Sequence, residues 1–284
     1  MIAIHELPAT ARHEASTGGI KSVALSTGVR LPYVEQGDPS GVPVLFLHGY
    51  TDSRRSFEPL LPHLPESIHA FALTQRGNGD ADRPSTGYQL RDFSADVAAF
   101  LDSQDLESAV IAGHSMGSTV ALRFARDYPE RTRGLFPMAA FARFRTNPDV
   151  VGFWEQVVRH LTDPIDPTVA REFQESTLAQ PIPPAFLETV IAESLKVPAR
   201  VWREAYAGLL EDEHATRLGG IGAPTLLFWG DQDTFARRPD QEFLLASIAG
   251  SRLAVYRGAG HAFHWEEPAR FAADLVEFVE GLTD

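Results

Sequence analysis

The stretch from Ser108 to Arg126 limits what this chain can fold into more than any other. An apolar run, Ser108-Ala109-Val110-Ile111-Ala112, passes through Gly113-His114-Ser115-Met116-Gly117 into Ser118-Thr119-Val120-Ala121-Leu122-Arg123-Phe124-Ala125-Arg126, whose apolar spacing is helical and which ends near Pro129. A short, unalternating apolar run reads as a strand buried on both faces, which belongs in a parallel sheet. A strand that turns into a helix within five residues crowds the flanking side chains, and glycines at 113 and 117 relieve that crowding. Ser115 at the apex is then held clear of the backbone, as a nucleophilic hydroxyl must be, at the cost of local strain. The free amides of the helix's first turn, Met116 among them, lie where they can stabilise negative charge. The structural alternative, an ordinary turn serine, leaves the strand, the helix and the paired glycines unexplained.

The rest of the chain supports that sheet. Strands are predicted near Lys21–Ser26, Arg30–Gln36, Pro43–Leu47 and Ile68–Leu73, with helical patterns over Arg54–Leu64, Arg91–Ser103 and Ser115–Tyr128. A further strand is predicted over Gly134–Ala140. After an opening hairpin this order alternates strand and helix, which implies a mostly parallel sheet covered on both faces. From Phe141 to Gly220 no strand pattern is visible and seven prolines separate short amphipathic stretches, so 141–220 reads as an inserted helical cap. Alternation resumes with Ala223–Trp229 as a strand, a helix at Gln241–Ile248, a last strand at Arg252–Tyr256 and a last helix at Pro268–Gly281. The core domain is therefore expected over 1–140 and 221–284.

A serine hydroxyl needs a base, and the base needs a group that fixes its tautomer. In an open parallel sheet such groups sit on loops at the carboxyl ends of strands. Two late loops qualify: Trp229-Gly230-Asp231-Gln232-Asp233, and Gly258-Ala259-Gly260-His261-Ala262-Phe263-His264. Either Asp231 or Asp233 could serve, as could His261 or His264, and the chain order is Ser, Asp, His. That order, the elbow and the loops resemble the α/β-hydrolase superfamily over nearly the whole chain outside the insertion, in particular its serine-nucleophile esterase- and lactonase-like members with a helical cap. The resemblance implies an eight-stranded-type sheet, Asp233 as the acid and His261 as the base. His48-Gly49-Tyr50 resembles the family's oxyanion loop, which implies the backbone amides of Tyr50 and Met116 as oxyanion donors. Arg76-Gly77-Asn78-Gly79-Asp80-Ala81-Asp82-Arg83-Pro84 resembles its glycine-rich loop, with Thr74-Gln75 and Ala81 departing from the usual residues.

The implied chemistry is hydrolysis of an ester, lactone or related acyl bond through an acyl-serine, with no metal or organic cofactor required. Carbon-carbon hydrolases, thioesterases and cofactor-free perhydrolases share such a triad, and a small-ligand receptor could retain the fold. A serine nucleophile argues against haloalkane dehalogenase and epoxide hydrolase chemistry, which use a carboxylate. The insertion carries Phe141, Phe144, Phe153, Trp154, Phe173, Phe186, Trp202 and Tyr206, enough aromatic surface to roof an apolar pocket. Tyr50, Phe144, Trp154 and Trp202 are the expected pocket residues. Arg76 reads as a loop brace, and His48 and His114 as packed or hydrogen-bonded histidines.

With 284 residues, 44% of them hydrophobic, the chain can bury a large core. A formal charge of −13 argues against binding nucleic acid through a basic surface, and the absence of cysteine removes disulfides and thiolate chemistry. Met1–Gly19 lacks a signal-peptide core and no apolar run is long enough to span a bilayer. The expectation is a cytoplasmic protein whose partner is a small-molecule substrate, with oligomeric state open.

Overall fold

A computed structural model of the protein describes residues 19–212 and 214–282. The expectation about Met1–Gly19 falls on residues 1–18, outside the described residues except at Gly19. Eight strands form one sheet: β1 (Lys21–Ala24), β2 (Arg30–Gln36), β3 (Val42–Leu47), β4 (Ile68–Leu73), β5 (Ala109–His114), β6 (Thr132–Met138), β7 (Leu226–Gly230) and β8 (Arg252–Tyr256). Their order is β1-β2-β4-β3-β5-β6-β7-β8. β2 runs antiparallel to both β1 and β4, and every pairing from β4 through β3 to β8 is parallel. The fully buried runs of β4 and β5 occupy the middle of the sheet, as their unbroken apolar character requires.

Helices α1 (Leu90–Ser103) and α2 (Met116–Asp127) cross between parallel strands, while α3 (Pro148–Gln156), α4 (Pro167–Ser176), α5 (Pro184–Leu195) and α6 (Ala199–Glu211) fall between β6 and β7. Three of these four start with proline at the first helical position, where its missing N–H costs nothing. Then α7 (Arg238–Ser247), α8 (Phe263–Glu266) and α9 (Pro268–Glu280) complete the chain. Aromatic residues of the insertion, including Phe144, Trp202 and Tyr206, join one continuous buried cluster with the sheet core. Among the described residues no helix is long and apolar enough to cross a membrane.

One predicted element is corrected. Arg54–Leu64 is not a single helix but two 3₁₀ turns, Arg54–Phe57 and Leu61–His63. Pro59, Pro62 and Pro65 remove an amide donor every third residue, so the i to i−4 ladder cannot propagate and only short i to i−3 turns survive.

Candidate active site

The elbow closes at Ser115, whose backbone sits at φ 52° and ψ −114°, a strained region for a residue with a side chain. Its amide donates to the Met138 carbonyl across the β5–β6 junction at 2.9 Å. The two glycines are required by contact: a Cβ at Gly113 would lie 2.1 Å from the Gly117 carbonyl oxygen, and one at Gly117 would lie 2.1 Å from that of Leu47. α2 is thereby pressed against the ends of β3 and β5, which points its first turn toward Ser115.

Three loops at the carboxyl ends of the strands meet there. Ser115 Oγ lies 2.8 Å from His261 Nε2, and His261 Nδ1 lies 2.8 Å from Asp233 Oδ2. With Nδ1–H donating to the carboxylate, Nε2 is left free to accept from the serine hydroxyl. The other carboxylate oxygen, Asp233 Oδ1, accepts from the Phe235 and Ala236 amides at 2.8 and 3.0 Å, which fixes the group's orientation. Asp231 is turned away: its Oδ1 accepts from the Gly258 amide at 2.7 Å and from the Gln232 side chain, contacts that lower its pKa. His264 reaches Ser56 Oγ at 3.3 Å instead of Ser115. The geometry thus separates both pairs of alternatives that the spacing left open.

The neighbouring histidines hold the frame. His48 accepts from the Gln75 amide at Nε2 (2.9 Å) and donates from Nδ1 to the Gly49 carbonyl (2.8 Å). His114 donates from Nε2 to the His261 carbonyl at 3.0 Å. Burial pushes the pKa of His48 down to about 4 and that of His264 to about 3, and lowers that of His114 as well, with neighbouring imidazoles reinforcing the effect for His114 and His264. All three are neutral at pH 7. Arg76 grips Asp96 through two bonds of 2.6 Å and the Gly87 carbonyl at 2.9 Å, so it braces its loop. The departure at Gln75 serves the same end, its side chain donating to the His48 carbonyl at 2.8 Å.

Above Ser115 lies a cavity whose walls include Tyr50, Met116, Phe141, Phe144, Phe153, Phe173, Tyr206 and Phe235. The amides of Met116 and Tyr50 donate to no other protein group among the described residues. The Tyr50 side chain both lines this cavity and anchors the insertion: its hydroxyl donates to the Trp202 carbonyl at 2.5 Å, and its ring meets Phe173, Trp202 and Tyr206 edge-on. Tyr50 and Phe144 are therefore wall residues as expected, whereas Trp154 and Trp202 are not. Trp202 is fully buried behind Tyr50 and Phe173, and Trp154 stacks on the far side of Tyr206 in an outer groove. Helical spacing places a residue on a face without saying which face meets the cavity. Phe235, Trp265, Asp52 and Gln174 line it too and were not anticipated. Phe235 was signalled by its position two residues after Asp233, and Asp52 by an acidic side chain three residues after Gly49 in the oxyanion loop.

The roof is joined to the histidine loop. The segment after α4 sends the Thr177 carbonyl to the Ala262 amide at 3.0 Å, and the Gln180 side chain to the Gly258 carbonyl at 2.8 Å. Glu266 bridges the two, accepting from Ala179 and Gln180 amides through Oε1 and from the Gly260 amide through Oε2. Among the described residues there is no group of three or more His, Asp or Glu side chains arranged to hold a metal.

A parallel sheet with a strained serine between β5 and α2, hydrogen-bonded to a histidine on the loop after β8 that in turn meets an aspartate on the loop after β7, defines a class, and a family profile agrees. The profile of the alpha/beta hydrolase fold matches residues 42–268, and the chain belongs to that family of enzymes. Its relatives include a non-heme chloroperoxidase of Streptomyces lividans, 26% identical over 91% of this chain and 99% of that protein. A pimeloyl-[acyl-carrier protein] methyl ester esterase of Neisseria meningitidis is 28% identical over 85% of this chain and 78% of that protein. Among solved structures, an esterase from Exiguobacterium antarcticum superposes with a TM-score of 0.83 at 23% identity, covering 92% of this chain and 99% of that one.

Proposed function

We propose that the protein hydrolyses an ester, lactone or related acyl bond of a small substrate with a largely apolar body, through a covalent acyl-serine. The observation that carries this reading is the continuous hydrogen-bonded line from Ser115 Oγ through His261 to Asp233, opening onto an aromatic cavity. In the first half-reaction His261 Nε2 takes the Ser115 proton as Oγ attacks the substrate carbonyl, then gives that proton to the departing alcohol. Asp233 holds the imidazole in the required tautomer and stabilises its transient charge. The amides of Met116 and Tyr50 receive the oxyanion. In the second half-reaction the same imidazole deprotonates water, which attacks the acyl-serine and releases the acid and free Ser115.

A fluorophosphonate probe and a panel of aryl esters, lactones, thioesters and 1,3-diketones test the reading, with Ser115→Ala as the control. Expected are labelling of the parent at Ser115 and ester or lactone turnover that the variant loses. A Ser115→Ala preparation cleaving these esters at the parent rate would sink the proposal. Turnover confined to thioesters or diketones would move the reaction to another bond on the same residues. An unlabelled parent that binds small apolar ligands reversibly would make it a receptor.

A further inference from the structure

The aromatic cavity contains one charged intrusion that ester hydrolysis does not use. Asp52, four residues after His48, is 3% exposed and lines the cavity beside Gly49. Its Oδ1 accepts from Gln174 Nε2 on α4 at 2.9 Å, and the Gly49 amide is its other donor. No lysine or arginine pairs with it among the described residues. The titratable groups that face it are the neutral His114, His261, and Glu193 of α5, which is itself committed to Lys196 at 2.9 Å. Burial pushes the Asp52 pKa up to about 7, the signature of a carboxylate without a counter-charge.

A second acceptor stands beside it. His114 spends its only N–H on the His261 carbonyl, so Nδ1 is a bare lone pair, buried and without a partner. A methyl group placed on Gly49 would lie 2.9 Å from His114 Nδ1 and 3.0 Å from Asp52 Oδ2, so both atoms pack against the Gly49 backbone. Both residues also line the cavity. A buried carboxylate without a counter-charge, in a cavity walled by aromatic faces such as Tyr50, Phe173 and Tyr206, favours a cation over a neutral donor. The surplus of negative charge on the chain, −13, steers cations toward it.

We infer that Asp52 forms a binding subsite for a protonated amine carried by the substrate, so that the preferred esters are aminoalkyl esters. This rests on the hydrolase reading and narrows it. The N–H of the cation donates to the Asp52 carboxylate while its alkyl groups lie on the aromatic walls. Gln174, held in turn by Ser194 Oγ at 2.8 Å, keeps the carboxylate facing inward.

Isosteric pairs test this with a methanol or acid-release assay at pH 7. On the alcohol side 2-(dimethylamino)ethyl acetate is compared with 3-methylbutyl acetate, and on the acyl side methyl 4-(dimethylamino)butanoate with methyl 5-methylhexanoate. The parent is expected to favour the amine in at least one pair by about tenfold to a hundredfold in kcat/KM, the range of a charge-assisted hydrogen bond. Asp52→Asn is expected to bring that ratio to near one. Gln174→Lys, which sets an ammonium beside the carboxylate from the protein side, is expected to do the same and serves if Asp52→Asn does not fold. Neutral esters preferred or equal in both pairs overturn the subsite while leaving the hydrolase reading intact. A preference that persists in a folded Asp52→Asn also overturns it. Loss of all turnover in Ser115→Ala, measured alongside, is the separate check on the chemistry itself.

Discussion

At the scale of single residues, the two aspartates of one loop have been divided by their partners. Asp233 gives one oxygen to His261 and the other to two backbone amides, while Asp231 is spent on Gly258. Asp233→Asn is expected to lower kcat by about 10⁴-fold, because an amide imposes the wrong imidazole tautomer. Asp231→Asn should leave kcat within a few-fold, and steady-state kinetics on one aryl ester with both variants reads the ranking. Gly117→Ala forces a Cβ to 2.1 Å from the Leu47 oxygen, so it should cost at least about 3 kcal/mol, measured by urea unfolding. These positions were legible in the sequence because their chemistry is local: a glycine beside a tight turn, an acid and a histidine on short loops after strands. The cavity wall was not, since Trp154 and Trp202 differ from Phe153 and Tyr206 only in the direction their helices present them. Direction is set by packing between elements distant in sequence, as with Trp202 behind Tyr50.

At the scale of elements, the insertion is held by a few directional bonds between aromatic surfaces. Tyr50 donates to the Trp202 carbonyl of α6, and Tyr206 of the same helix donates to the Val150 carbonyl of α3 at 2.8 Å. Tyr50→Phe keeps the ring contacts and deletes the first of these bonds. It should lower unfolding free energy by about 1 kcal/mol in a denaturant titration. Strands and helices of the sheet followed from period alone, with ends displaced by a few residues; β6 runs Thr132–Met138 where Gly134–Ala140 was predicted. The predicted helix Arg54–Leu64 breaks into two turns because its apolar spacing coincides with three regularly spaced prolines. Period reports which face is buried; it does not report whether the backbone has the donors to wind.

At the scale of the whole molecule, three imidazoles are enclosed neutral against the sheet, and unfolding frees them to bind protons. His48 and His264 titrate near 4 and near 3 when folded, and His114 is depressed as well, against 6.5 for the free group. Their contribution is complete above pH 6.5 and is lost as the pH falls toward those folded values. Each costs on the order of 1 kcal/mol per pH unit across that window. Asp52 works in the opposite sense, since its folded pKa near 7 means that acid protonates the folded state first and stabilises it. Asp240, whose pKa burial also raises, acts in the same sense as Asp52, but the three imidazoles outweigh the two carboxylates, so Tm should fall between pH 6.5 and 4.5, and scanning calorimetry across that range checks the sign. The bonds from Thr177, Ala179 and Gln180 to the histidine loop carry a different consequence, for recombination between relatives. Exchanging all of 141–220 as a cassette swaps the struts that set the height of the imidazole, so chimeras with crossovers there should lose turnover even when the new roof fits. Crossovers confined to 141–165 leave those struts native and give the grafts that stay active with altered selectivity.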